Sequence, residues 1–126
     1  MWFVRLSPIM LLLVPAMASA QSMNAEVFYK RSNALMAKGP MALFSRGEIK
    51  LLMGEAQRAG LVAHTQRLAD LAAGKPPRSC PPQGKQSMDS TEFMRRLGAI
   101  PVAERSRIDM TEAMTRVTAA RFPCPR

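Results

Sequence analysis

Histidine, cysteine and carboxylate are all scarce in this chain, and each shortage removes a class of chemistry. One histidine, His64, and two cysteines, Cys80 and Cys124, stand in 126 residues. Together they cannot complete a structural zinc tetrahedron without borrowing a carboxylate, so no metal site is expected. The two cysteines lie far apart in the chain, whereas a redox-active pair is usually separated by two residues at a helix start. Only nine acids face 18 lysines and arginines. Five of them (Glu48, Asp89, Glu92, Asp109 and Glu112) sit at expected helix starts, where negative charge complements the helix dipole. Glu55 has Arg58 one turn away, and Asp70 has Arg67, which is the spacing of a simple surface pair. Only Glu26 and Glu104 remain, so a paired-carboxylate hydrolase finds little support. Serine-hydrolase signatures and phosphate-cradling glycine loops are absent as well. His64, alone on a helix, reads as a surface or boundary residue rather than a general base. The chain is not expected to be an enzyme or to carry a cofactor.

Aromatic residues are few beyond residue 20: Phe28, Tyr29, Phe44, Phe93 and Phe122. Stacking platforms for single-stranded nucleic acid need aromatic and basic side chains interleaved, and only Phe28-Tyr29-Lys30-Arg31 offers that. Basic residues are scattered, with no run longer than two, so nucleic acid is not an expected partner. No apolar stretch beyond residue 20 is long enough to cross a bilayer of about 30 Å.

What the chain does have, first, is a leader. Arg5 supplies a positive start, an apolar stretch runs from Ile9 to Val14, and Ala18-Ser19-Ala20 is a small-x-small cleavage site. Residues 1–20 read as a secretory signal peptide cut after Ala20, giving a periplasmic address. Residues 21–126 then form one small helical domain. Its net charge is +8, from 17 basic against nine acidic residues, which favours acidic partners. In an oxidising compartment Cys80 and Cys124 can pair. The bridge would close a loop of about 45 residues, for which loop entropy predicts roughly 4 kcal/mol.

The domain reads as all-α, a small bundle of four to five helices with one disulfide. A first helix is expected over 25–37, ended by Gly39-Pro40, after which Pro40 opens a short segment to Phe44. Ser45 and Glu48 have the spacing of a capping box, flanked by Phe44 and Ile49 as a hydrophobic staple. The long helix over 46–73 carries an apolar series from Ile49, Leu52 and Met53 to Leu68 and Leu71, with Gly74 as its C-cap. Gly54 and Gly60 inside it predict a kink or the close approach of another helix. The loop 75–84 holds four prolines and Cys80. Further helices follow after Ser87 or Asp89 (to Gly98), with Asp89 and Glu92 spaced as cap and third position, over 102–107, and after Asp109, which carries Met110, Ala113, Met114 and Val117. Eight methionines remain after the leader, and most read as adaptable core filling.

The second half also resembles a known family. A helix bearing Met53-Gly54, a loop ending Cys80-Pro81-Pro82, a capped short helix, a proline turn and a terminal Arg121-Phe122-Pro123-Cys124 follow the order of the Rap/Tai immunity proteins of type VI secretion. The resemblance covers roughly residues 47–124 and departs from the family in having no cysteine in the first half. It implies a small exported helical protein that occludes a toxic cell-wall amidase and performs no chemistry itself. The loop 76–85 is the expected contact, because prolines and the disulfide restrain it; Lys75, Arg78 and Lys85 would face an acidic cleft. An alternative is a chaperone-like envelope-stress protein using methionine-rich apolar faces. A third is association with anionic membrane through Lys30, Arg31 and Lys38.

Overall fold

A computed structural model describes residues 22–126; the expected leader and its cleavage site lie outside them. Among the described residues the chain is all-α. Five α-helices, α1 (Ala25–Ala37), α2 (Arg46–Ala72), α3 (Ser90–Gly98), α4 (Val102–Arg105) and α5 (Met110–Arg121), are joined by one 3₁₀ segment, Gly39–Phe44. Cys80 and Cys124 are joined in a disulfide with their Cα atoms 4.8 Å apart.

Three helices start on side-chain caps. Asn24 accepts from the Glu26 and Val27 amides at 2.9 and 3.1 Å. Asp89 and Asp109 each accept from the third residue on, Glu92 and Glu112, at 2.8 Å. Each bond satisfies an amide that the first helical turn leaves without a partner. α2 starts differently. Ser45 makes no cap bond; its hydroxyl accepts from Lys38 Nζ at 2.9 Å, and Glu48 is held by Arg31. The capping box is therefore not formed. Nor is the staple, since Phe44 is 84% exposed. Two cross-chain contacts outcompeted a purely local motif. At the other end Gly74 takes φ +71°, and the amides of Gly74 and Lys75 return to Leu71 and Asp70. An L side chain rarely adopts that conformation, so glycine closes this helix.

α5 is the centre of the core. Met110, Ala113 and Val117 are buried, and its broadest contact is with α2. Leu97 and Met94 of α3, Phe28 and Ala25 of α1, and Leu52 and Ala59 of α2 close around it. Phe28 and Phe93 meet edge to face at 6.0 Å between ring centres. The start of the body is pinned to α5 by an antiparallel bridge, with Ala25 N–H to Ile108 O at 3.0 Å and Met110 N–H to Met23 O at 2.8 Å.

The apolar series of α2 does not form one buried stripe. Only Leu52 and Ala59 are buried, while Met53, Leu61, Leu68 and Leu71 are exposed. Leu61 lies nine residues from Leu52, and Leu68 nine from Ala59. At 3.6 residues per turn that is two and a half turns, which is the opposite side of the helix. The expected glycine contacts also divide. A Cβ on Gly60 would meet Met114 at 3.9 Å, whereas Gly54 faces open space. The helix expected over 102–107 ends at Arg105.

Candidate functional site

An open groove of about 700 Å³ lies between α1, α2 and the α3 approach. Leu35 and Met36 form one wall, Ile49 and Met53 the other, and Met88, Phe93 and Met94 close the far side. Helical spacing explains the walls. Ser32, Leu35 and Met36 lie one turn apart on α1, as do Ile49, Leu52, Met53 and Ala56 on α2. A second depression, lined by Arg46, Lys50 and Gly54, shares Ile49, Met53 and Gln57 with the groove. An apolar trough thus runs out against two cations. Several lining side chains are methionines, whose unbranched thioethers adapt to irregular partners. Three of the eight, Met36, Met41 and Met53, are exposed and do not fill the core.

The expected contact loop is built into the scaffold. Arg78 makes a two-pronged ion pair with Glu112 of α5 at 2.6 and 2.7 Å. Hydrogen bonding from Arg78, against a smaller opposing effect of burial, holds the Glu112 carboxyl below the usual carboxylate range, with Arg116 adding to the effect. Ser79 is buried, and its carbonyl accepts from Arg67 Nε at 2.9 Å. Arg67 thus reaches the loop, and no ion pair between Arg67 and Asp70 forms. The Cys80 amide donates to Phe122 O at 2.8 Å, beside the disulfide. Lys75 and Lys85 remain exposed. Of the three expected contact cations, Arg78 already has a carboxylate partner within the fold.

His64 is exposed and borders a small cavity of about 150 Å³ with Arg67, Asp70 and Thr118. The threonine hydroxyls there are engaged. Thr115 donates to Thr111 O and Thr118 to Met114 O. Neither threonine hydroxyl therefore donates to His64. Among the described residues, no group of three or more histidine, cysteine or carboxylate side chains could hold a metal ion.

Six of the nine acids are engaged in ion pairs within the fold. Glu26 binds Arg105 and Lys30, Glu48 binds Arg31, Glu55 binds Arg58, Glu92 binds Arg96 and Arg121, and Glu104 and Glu112 bind Arg116. Burial pushes the Glu55 carboxyl up, but hydrogen bonds from Arg58, the Met23 amide and Ser22 together hold it low. Lys30 and Arg31, expected to face a membrane, are both paired in this way. Arg46, Lys50, Lys75 and Lys85 have no carboxylate partner among the described residues, and the surplus positive charge therefore sits at the surface. No family model, curated protein or solved structure matches the chain.

Proposed function

We propose that this chain is a non-enzymatic binding protein of the cell envelope, exported by residues 1–20, that engages a protein partner through the groove between α1, α2 and α3. The observation that carries this reading is the methionine-lined apolar trough opening onto Arg46 and Lys50. Such a trough suits an amphipathic helix, whose apolar face fills it while acidic residues at one end meet the two cations. An immunity-type role, occluding an exported cell-wall amidase as the Rap/Tai resemblance implies, is the specific form proposed. The groove replaces the loop 76–85 as the contact face, since Arg78 is bound to Glu112.

Native capture from periplasmic extract tests this. Wild type recovers one exported enzyme in stoichiometric amount. Met36→Glu with Met53→Glu, both at half-exposed positions, abolishes recovery, and Lys75→Ala with Lys85→Ala does not. Recovery that survives the groove substitutions and fails with the lysine substitutions returns the contact to the loop.

A second reading, a chaperone-like envelope protein, is favoured by the exposed Leu61, Leu68 and Leu71 on the outer side of α2. Contiguous exposed apolar surface is a mark of interaction sites. Suppression of light scattering from an unfolding client, with no unique partner captured, selects it.

A further inference from the structure

The 3₁₀ segment Gly39–Phe44 buries none of its side chains. Met41, Leu43 and Phe44 are 62, 69 and 84% exposed on this projecting turn. Three consecutive turns of chain around it carry Lys38, Arg46 and Lys50, all exposed. The one carboxylate among them, Glu48, is neutralised by Arg31 at 2.6 Å. The knuckle is therefore an exposed apolar turn flanked along the chain by exposed cations.

We infer that this knuckle docks the protein onto an anionic bilayer surface, as a peripheral contact that adjoins the groove and shares Arg46 and Lys50 with it. Shape and charge both point to that occupant. A convex tip has no pocket to receive a partner's side chain, whereas a fluid bilayer accommodates a protruding apolar tip of any outline. Insertion into the acyl boundary penalises unsatisfied backbone groups. Here two of those groups are paired: the Met41 amide donates to Lys38 O at 3.2 Å and the Ser45 amide to Ala42 O at 2.8 Å, while Pro40 has no amide hydrogen. Basic side chains at the rim then meet anionic headgroups, an attraction confined to about a Debye length. No described helix is long and apolar enough to cross a membrane, so the contact is interfacial.

The test is co-sedimentation of the protein, produced from its full sequence, with vesicles of phosphatidylethanolamine and phosphatidylglycerol, and with pure phosphatidylcholine vesicles. Binding is expected to the anionic vesicles only. Leu43→Glu with Phe44→Glu lowers it at least about tenfold. Lys38→Gln, Arg46→Gln and Lys50→Gln each lower it roughly fivefold at low salt. All five positions are exposed, and unchanged circular dichroism confirms an intact fold. A second measurement stands apart from any loss of binding. The one tryptophan, Trp2, leaves with the leader, so in the processed protein a Phe44→Trp side chain is the lone reporter and is quenched by brominated acyl chains. Equal binding to neutral vesicles, binding unaffected by the glutamates, or an unquenched tryptophan overturns the inference. So does a wild-type dimer that these glutamates dissociate without any vesicle binding, which would make the knuckle a self-association surface.

Discussion

Arg105 is the residue most bound up with the fold. It is 3% exposed, pairs with Glu26, and donates to Ile100 O at 2.7 Å and Gly98 O at 3.2 Å. Its guanidinium also stacks 4.0 Å from the centre of the Tyr29 ring. These contacts tie α1, the α3–α4 turn and α4 together. Tyr29 in turn explains Gly98, where an added Cβ would lie 2.7 Å from the phenol oxygen. Arg105→Met leaves the buried turn carbonyls without their donor and Glu26 with only its longer, exposed contact to Lys30. Urea unfolding should show a loss of about 3–5 kcal/mol. Lysine does not rescue it, because an ammonium cannot reproduce the flat fork that spans a carboxylate and two carbonyls. At the surface, Glu48 and Glu112 are held low chiefly by hydrogen bonds from Arg31 and Arg78. Their folded-state affinity for protons is below that of the unfolded chain. The stability they add is therefore complete above the ordinary carboxylate range, near pH 4.3, and is lost as pH falls through their lower folded values. Thermal midpoints measured from pH 7 to pH 2 should fall below about pH 4.3, and Glu112→Gln should flatten the fall.

Among the elements, α2 departs most from the sequence expectation. It is 27 residues long and packs chiefly on α5, which has 12. At a rise of 1.5 Å per residue the longer helix outruns its cover. Leu61 and Leu68 are exposed for a different reason, since they stand two and a half turns from Leu52 and Ala59, on the opposite side of the helix. Gly54 faces solvent, and a methyl group added there would touch nothing, so its helix cost is not offset by packing. Gly54→Ala should raise stability by about 0.5–1 kcal/mol in the same urea measurement. The Pro-rich loop after α2 behaves in the opposite sense. It is fixed by Arg67, Arg78 and the Cys80–Cys124 bridge, whose two cysteines are 44 positions apart in sequence. Cys80→Ser with Cys124→Ser should cost about 2–4 kcal/mol and lower the thermal midpoint. Dithiothreitol should lower wild type to the same value.

For the whole molecule, charge is distributed by subtraction. Nearly all the acids are committed to arginines or helix caps, and the unmatched cations remain outside. The apolar groove and the apolar knuckle, with Lys38, Arg46 and Lys50 beside them, are both built from α1, the 3₁₀ turn and the first half of α2. An exported protein built this way should be recovered from the envelope with Gln21 as its first residue and with no free thiol. Intact mass before and after reduction and alkylation reads both. A start at Met1 removes the export reading and, with it, the oxidising setting assumed for the bridge.

Residue order alone determined the local features: the α1 bounds, the caps at Asp89 and Asp109, the stop at Gly74, and the disulfide from its two cysteines. Each depends on neighbours within a few residues or, for the bridge, on there being no other choice of partner. Tertiary structure alone decided who wins where local options compete. Glu48 and Arg78 were legible as a cap and a contact, yet each is taken by a partner 17 and 34 residues away. The groove was not legible, because its walls come from three segments with no shared pattern. Periodicity reports that a face is apolar, and only the packed chain determines whether another element is there to cover it.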